Sequence, residues 1–128
     1  EALELWPTYS RDRRQLAWVR WTDAGLGQIM VSGPGGANAR AITTMPGHYA
    51  VPQFSPDGRH IVFEKRSGGD MLSPDYSVET GIYRVAVSGG SPELIVRGNR
   101  APQYGADDNR IFMLGQEKGK LQLLSTDL

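Results

Sequence analysis

The chain contains no cysteine, which excludes disulfides, thiol catalysis and cysteine-ligated zinc. It also lacks a net charge, fourteen Lys and Arg balancing fourteen Asp and Glu, and this argues against a dedicated nucleic-acid or anionic-membrane binder. No apolar run approaches the roughly 20 residues needed to span a bilayer. The opening Glu1-Ala2-Leu3-Glu4-Leu5 has neither the basic region nor the apolar stretch of a signal peptide. Histidine is scarce: only His48 and His60 are present, fewer than a hydrolytic metal centre draws on. Helical periodicity is missing too, since no stretch of ten or more residues repeats its apolar positions every 3.6. No metal and no cofactor is expected, and no insertion into a membrane.

What is present is punctuation and repetition. Sixteen Gly and eight Pro are spread through 128 residues and divide the chain into short pieces, as in an all-β protein with frequent turns. Three segments align without gaps: Pro7-Thr8-Tyr9-Ser10-Arg11-Asp12-Arg13-Arg14-Gln15-Leu16-Ala17-Trp18, Pro52 to Phe63, and Pro102 to Met113. A repeat of this length decides the architecture before any local reading does.

Each copy closes a short strand on an aromatic (Tyr9, Phe54, Tyr104), turns, and resumes with an apolar pair two apart (Leu16/Trp18, Ile61/Phe63, Ile111/Met113). That is the alternation of a strand. Ser55-Pro56-Asp57-Gly58 carries strong turn chemistry; copies one and three keep Asp12 and Asp107 but replace the Pro and Gly, which predicts less tightly specified turns. Third strands follow at 28–32, 82–87 and 121–125, and fourth strands at 39–43 and 93–97. The third copy has no fourth strand, and Ser125-Thr126-Asp127-Leu128 reads as a fragment boundary. Trp18 takes the slot of Phe63 and Met113 and is expected as core between blades, while Trp21 falls just beyond the pattern, where a contact residue could sit.

Four short antiparallel strands in 45 to 50 residues is the grammar of a propeller blade. The expected fold is all-β, a partial β-propeller of about three blades: 1–46, 47–98 and an incomplete 99–128. A single β-sandwich is the alternative, although it gives no reason for one hairpin signature to recur three times. The middle copy, Ala50 to Phe63 with Ile82-Tyr83-Arg84-Val85 and Gly89-Gly90-Ser91-Pro92, resembles the propeller repeat of the TolB and Tricorn-protease family. That resemblance implies an innermost strand ending at the Ser-Pro-Asp-Gly turn with successive strands stepping outward, and an exported or periplasmic protein. Ser73 to Tyr83 and Ala101 to Asp107 are similar to the propeller that precedes an amidohydrolase domain in some exported enzymes, which implies a catalytic domain outside these residues.

Weighed singly, the chemistry candidates dissolve. His60 reads as a solvent-facing strand residue and His48 as surface or a channel mouth. Ser10 and Ser55 read as turn residues bonding the local backbone, not as nucleophiles. Gly33-Pro34-Gly35-Gly36 lacks the Lys-Ser/Thr and helix of a phosphate loop. Arg11, Arg13 and Arg14 form a solvated turn without a stacking platform.

The segment from Arg66 to Thr80 stands out, because its counterparts are short in the other copies (Thr22 to Gly27, Glu117 to Gly119). It mixes Gly68-Gly69 with Asp70, Asp75 and Glu79 and with Met71, Leu72 and Tyr76. Asp70, Met71, Asp75, Tyr76 and Glu79 are the candidate contact residues for a protein partner or adjacent domain; an ion site and an inert surface loop are the alternatives. Three blades also leave two faces uncovered, which predicts self-association or membership of a larger ring.

Overall fold

A computed structural model of the chain describes residues 1–66 and 79–128. Eleven strands form among them, in three antiparallel sheets. The first sheet contains β1 (Leu3–Tyr9), β2 (Leu16–Thr22), β3 (Leu26–Ser32) and β4 (Arg40–Ala41), and the second β5 (Tyr49–Phe54), β6 (His60–Lys65), β7 (Gly81–Ala86) and β8 (Glu93–Arg97), each in sequence order. The third has β9 (Arg100–Tyr104), β10 (Arg110–Glu117) and β11 (Lys120–Asp127). These are three blades of a partial β-propeller, the last with three strands, and the repeat predicts them.

The three aromatics occupy matching places: Tyr9 pairs with Leu16, Phe54 with Ile61 and Tyr104 with Ile111. The equivalence reaches the backbone. In each innermost strand the residue before the repeated proline has positive φ: Trp6 at 59°, Val51 at 52° and Ala101 at 52°. There each ladder slips, between Leu5 and Thr8, between Ala50 and Gln53, and opposite Phe112 and Leu114. One extra residue on the inner strand makes a bulge. Proline, lacking an N–H, is accepted in a sheet at an edge strand or a bulge, and both conditions hold here. A non-glycine residue at positive φ costs about 1–3 kcal/mol and persists only where its surroundings fix it.

The inner hairpin turns are built by side chains. The Ser55 hydroxyl donates to Asp57 Oδ1 at 2.6 Å and accepts from the His60 N–H at 3.0 Å, while the Arg59 N–H donates to Asp57 Oδ1 at 2.9 Å. Copy one repeats all three contacts through Ser10, Asp12, Arg14 and Gln15, with Arg13 at φ 60° where Gly58 has 72°. The Ser and Asp therefore specify this turn without the Pro and Gly, contrary to the expected loosening. In copy three Gly105 replaces the Ser, and the contact from Asn109 N–H to Asp107 Oδ1 at 2.8 Å remains.

Pleating sends alternate residues to opposite blade faces. Ile61 and Phe63 join Ala17, Val19, Ile29 and Val31 in the seam between blades one and two. Val62 and Ile82 join Tyr104, Ile111 and Met113 in the next seam. The Ile61/Phe63 face of each blade thus meets the preceding blade. Its counterpart in blade one, Leu16 and Trp18, points away from blade two, so Trp18 is not core between described blades. It lines an apolar hollow with Glu4, Pro7, Leu16 and Arg20, and its indole N–H donates to Glu4 Oε2.

The ladder of β4 is shorter than the expected 39–43 because Thr43 Oγ1 takes the Ile29 N–H at 3.2 Å in place of a backbone acceptor, and Thr43 then bridges to Gly90 of blade two. The crossing is further closed by Gly27 and Gly47, whose amides exchange two 3.0 Å hydrogen bonds. A Cβ on Gly27 would lie 2.5 Å from the Gly47 carbonyl oxygen, so the approach needs glycine.

Hydrogen bonds from the Ser hydroxyls, then from backbone N–H groups, hold the Asp12 and Asp57 carboxyls below the usual carboxylate value. A folded-state pKa below the unfolded one adds stability above the unfolded value, and that stability is lost as pH falls through the folded value. Thermal unfolding followed from about pH 5 to about pH 2.5 is expected to fall more steeply for the native chain than for an Asp12→Ala, Asp57→Ala double variant. Parallel curves would contradict this assignment.

Candidate partner-contact rim

Antiparallel topology sorts the connections onto two rims. The inner hairpin turns occupy one, and the β2–β3, β6–β7 and β10–β11 connections the other. Residues 66–80 join β6 to β7 on this second rim, where the other blades use residues 23–25 and 118–119. Asp70, Met71, Asp75 and Tyr76 lie outside the described residues. Glu79 is described, at φ 59°: its carbonyl accepts the Tyr83 hydroxyl at 2.6 Å and its carboxylate accepts Arg97 Nη2 at 2.8 Å. That ion pair is exposed on both sides, and such pairs contribute at most about 1 kcal/mol.

The other foot, Arg66, is anchored three ways. Its N–H donates to the His48 carbonyl at 2.9 Å, its Nε to Glu64 Oε1 at 3.0 Å, and its guanidinium lies 5.1 Å from the centroid of the half-exposed Trp6 ring. Beside it, Lys65 Nζ stands 5.3 Å from the Tyr83 ring centroid, and Trp21 and His48 are in tilted contact at 5.5 Å. Trp21 is therefore a rim residue at the first seam. Burial, with the Glu79 carboxylate nearby, raises the Tyr83 hydroxyl above its ordinary pKa. A groove of about 470 Å³ runs between the feet, lined by Glu64, Lys65, Arg66, Thr80, Gly81, Gly98, Asn99 and Arg100.

Among the described residues of this rim, Glu64 is a buried charge, 8% exposed. Besides Arg66, it accepts the N–H of Ala101 at 3.2 Å, so a carboxylate of blade two satisfies the bulge residue of blade three. Sequence reasoning missed Glu64 and Arg66. The signal was there: Glu64 aligns with Val19 and Leu114, and a carboxylate at an apolar repeat position needs a partner.

The remaining candidates are not brought together. His60 begins β6 beside the inner turn, whereas His48 precedes β5 at the opposite rim. Ser10 and Ser55 are both committed to their turns. Gly33 to Gly36 closes a turn between outer strands, with Gly36 N–H to Gly33 O at 3.0 Å. Arg11 is bonded to the Gly105 carbonyl of blade three. No group of three or more His, Asp or Glu residues suited to a metal occurs among the described residues, and no described helix is long and apolar enough to cross a membrane.

Replacing Glu64 by Leu strands the Ala101 N–H, and urea denaturation is expected to show a loss of about 1–3 kcal/mol. Glu64→Gln retains an acceptor and loses less. Equal losses would contradict a hydrogen-bonding role.

No protein-family model matches the chain. A 49-residue stretch, 37% of the chain, is 51% identical to the Tol-Pal system protein TolB of Bordetella pertussis and spans 11% of that protein. Among solved structures, a TolB of Agrobacterium tumefaciens superimposes with a TM-score of 0.74 at 20% identity, covering 98% of this chain and 46% of that one. The β-propeller domain of the Trilobed protease of Pyrococcus furiosus, of open velcro topology, gives 0.66 at 17% identity, covering 98% of this chain and 39% of that one. The chain thus spans less than half the length of the proteins it resembles.

Proposed function

We propose that this chain, a β-propeller segment of the TolB and Tricorn-like family, is a scaffold whose blades 1–46, 47–98 and 99–128 carry a protein contact on the rim of the β6–β7 connection. The observation that carries this reading is the inequality of three otherwise equivalent connections. Blades one and three join these strands through three and two residues, while residues 66–80 interrupt blade two between feet fixed by Arg66 and Glu79. Long connections on a rigid repeat concentrate function.

The surroundings suit a protein partner. Trp6 and Trp21 offer aromatic surface, and Arg66, Arg97 and Arg100 offer guanidinium groups; these residue types are enriched where interfaces gain their energy. Tol-Pal naming of the relatives points to a component of that system as the partner, in an exported, periplasmic setting. Purified Pal is expected to bind the chain in calorimetry, and to lose binding when residues 67–78 are replaced by a two-residue Lys-Gly turn copied from blade three, with the circular dichroism of the sheets unchanged. Binding that survives the replacement, or is absent from the native chain, would overturn the reading.

The outward faces of blades one and three bear on assembly. The hollow beside Trp18 and the face carrying Phe112, Leu121 and Leu123, of which Leu123 is 69% exposed, are apolar surfaces of the kind the inner seams bury. The isolated chain is proposed to self-associate through them, and sedimentation velocity is expected to show mass above the 14.0 kDa of one chain. A well-behaved monomer would contradict it.

A further inference from the structure

We infer that the groove between blades two and three on the second rim is an acceptor for the side-chain carboxylates of an acidic peptide segment, held by Arg100, Lys65 and Asn99. The inference rests on the reading of this rim as a protein contact, yet it uses the seam beside residues 66–80 and not the connection itself. The groove, of about 470 Å³, is lined by three cations, Lys65, Arg66 and Arg100, against one carboxylate, Glu64. That excess of two stands on a chain of zero net charge.

The repeat shows what is unusual here. In blade one Arg20 lies across the ladder from Glu4, whose Oε1 accepts the Arg20 Nε–H at 2.7 Å. The same two places in blade two hold Lys65 and Tyr49, so the cation persists and the carboxylate does not. Lys65 leans instead on the Tyr83 ring, 5.3 Å from its centroid. In blade three the places hold Gly115 and Asn99, and a Cβ on Gly115 would lie 2.6 Å from Asn99 Oδ1. Glycine inside a strand marks such a close approach, and here it seats the carboxamide against β10 at the groove wall. Next to it, Arg100 stands where Leu5 and Ala50 stand in the other innermost strands, a place where the packing of blades does not call for a cation.

The polar groups of the groove divide into satisfied and unsatisfied. Both oxygens of Glu64 are engaged, one by Arg66 Nε at 3.0 Å and the other by the Ala101 N–H at 3.2 Å. The side chains of Arg100, Asn99 and Thr80 make no hydrogen bond or ion pair with the described residues; Arg100 is exposed, and Asn99 and Thr80 are half-buried. Guanidinium and ammonium groups offer only donors, and a carboxylate facing them gains charge-assisted hydrogen bonds, bidentate at arginine. Two surplus cations at one groove match two carboxylates, so the occupant is a segment with neighbouring Asp or Glu side chains and not a lone chain end. The volume falls in the range of clefts that hold short ligands.

The probe is acetyl-Ala-Glu-Glu-Ala-amide, which has no terminal charges, titrated into the full chain and followed by nitrogen-edited NMR. Saturable shifts of the Thr80, Gly98, Asn99 and Arg100 amides are expected, weakening as salt is raised from about 50 to about 500 mM. The matching Gln-Gln peptide and an Arg100→Gln chain should each bind about tenfold more weakly or worse, as for a lost charged hydrogen bond, with Arg100→Lys in between. The Gln-Gln peptide leaves the protein untouched, so the test survives if a variant fails to fold. Equal binding of the Gln-Gln peptide, shifts confined to other residues, or tighter binding of acetyl-Ala-Ala with a free chain-terminal carboxylate would overturn the inference. The chain whose residues 67–78 are replaced by Lys-Gly separates it from the contact reading, since the acidic peptide is expected still to bind there and Pal is not. Loss of the peptide on replacement would overturn the groove and leave the contact reading standing, whereas Pal binding that survives the replacement would strike the contact reading alone.

Discussion

The structure depends on the middle blade being apolar on both faces. In an ordinary two-layer sheet, pleating gives a strand one buried side and one wet side. Strand β6 departs from this: Ile61, Val62 and Phe63 are consecutive and all fully buried. Ile61 and Phe63 belong to the seam with blade one and Val62 to the seam with blade three. Each such side chain contributes about 1.5–3 kcal/mol on leaving water, so blade two draws its stability from both neighbours. The polar exception, Glu64, extends the same strand across the second seam by taking the Ala101 N–H.

The seams in turn require the innermost strands to sit alike. Three bulges before Pro7, Pro52 and Pro102 and three Asp-centred turns place Tyr9, Phe54 and Tyr104 equivalently, and the inner turns then touch, Gln15 Nε2 meeting the Gly58 carbonyl at 3.0 Å and the Asp57 N–H meeting Asp108 Oδ1 at 2.9 Å. A bulge that places Val51, a β-branched residue, at positive φ is unfavourable alone. Its recurrence three times marks it as part of how the repeat is built.

Much of this was legible in the residues. The spacing of aromatic, Asp and alternating apolar pair predicts the blades and nearly every strand, because a repeated pattern averages out local ambiguity. What resisted prediction depends on neighbours. Trp18 shares its slot with Phe63 and Met113, yet the face it occupies has no described blade against it, and no local pattern reveals which face of a first repeat is covered. The bulges were signalled by proline at a fixed place in a strand, but positive φ at Trp6, Val51 and Ala101 follows from ladder geometry. The turn of copy one holds without Pro and Gly because the Ser10 hydroxyl and the Asp12 carboxylate make its hydrogen bonds. Of the contact residues, Glu79 is seen as an anchored foot, and its value as a site depends on the partner.

The most direct measurement is a methyl NOESY spectrum of Ile-, Leu- and Val-labelled protein, read at adjacent residues of β6. With blade two apolar on both faces, cross-peaks are expected from Ile61 to Ile29 or Val31 of blade one, and from Val62 to Ile111 of blade three, with neither residue sharing the other's set. Cross-peaks placing Ile61 and Val62 against the same sheet, or Val62 in contact with solvent alone, would contradict it.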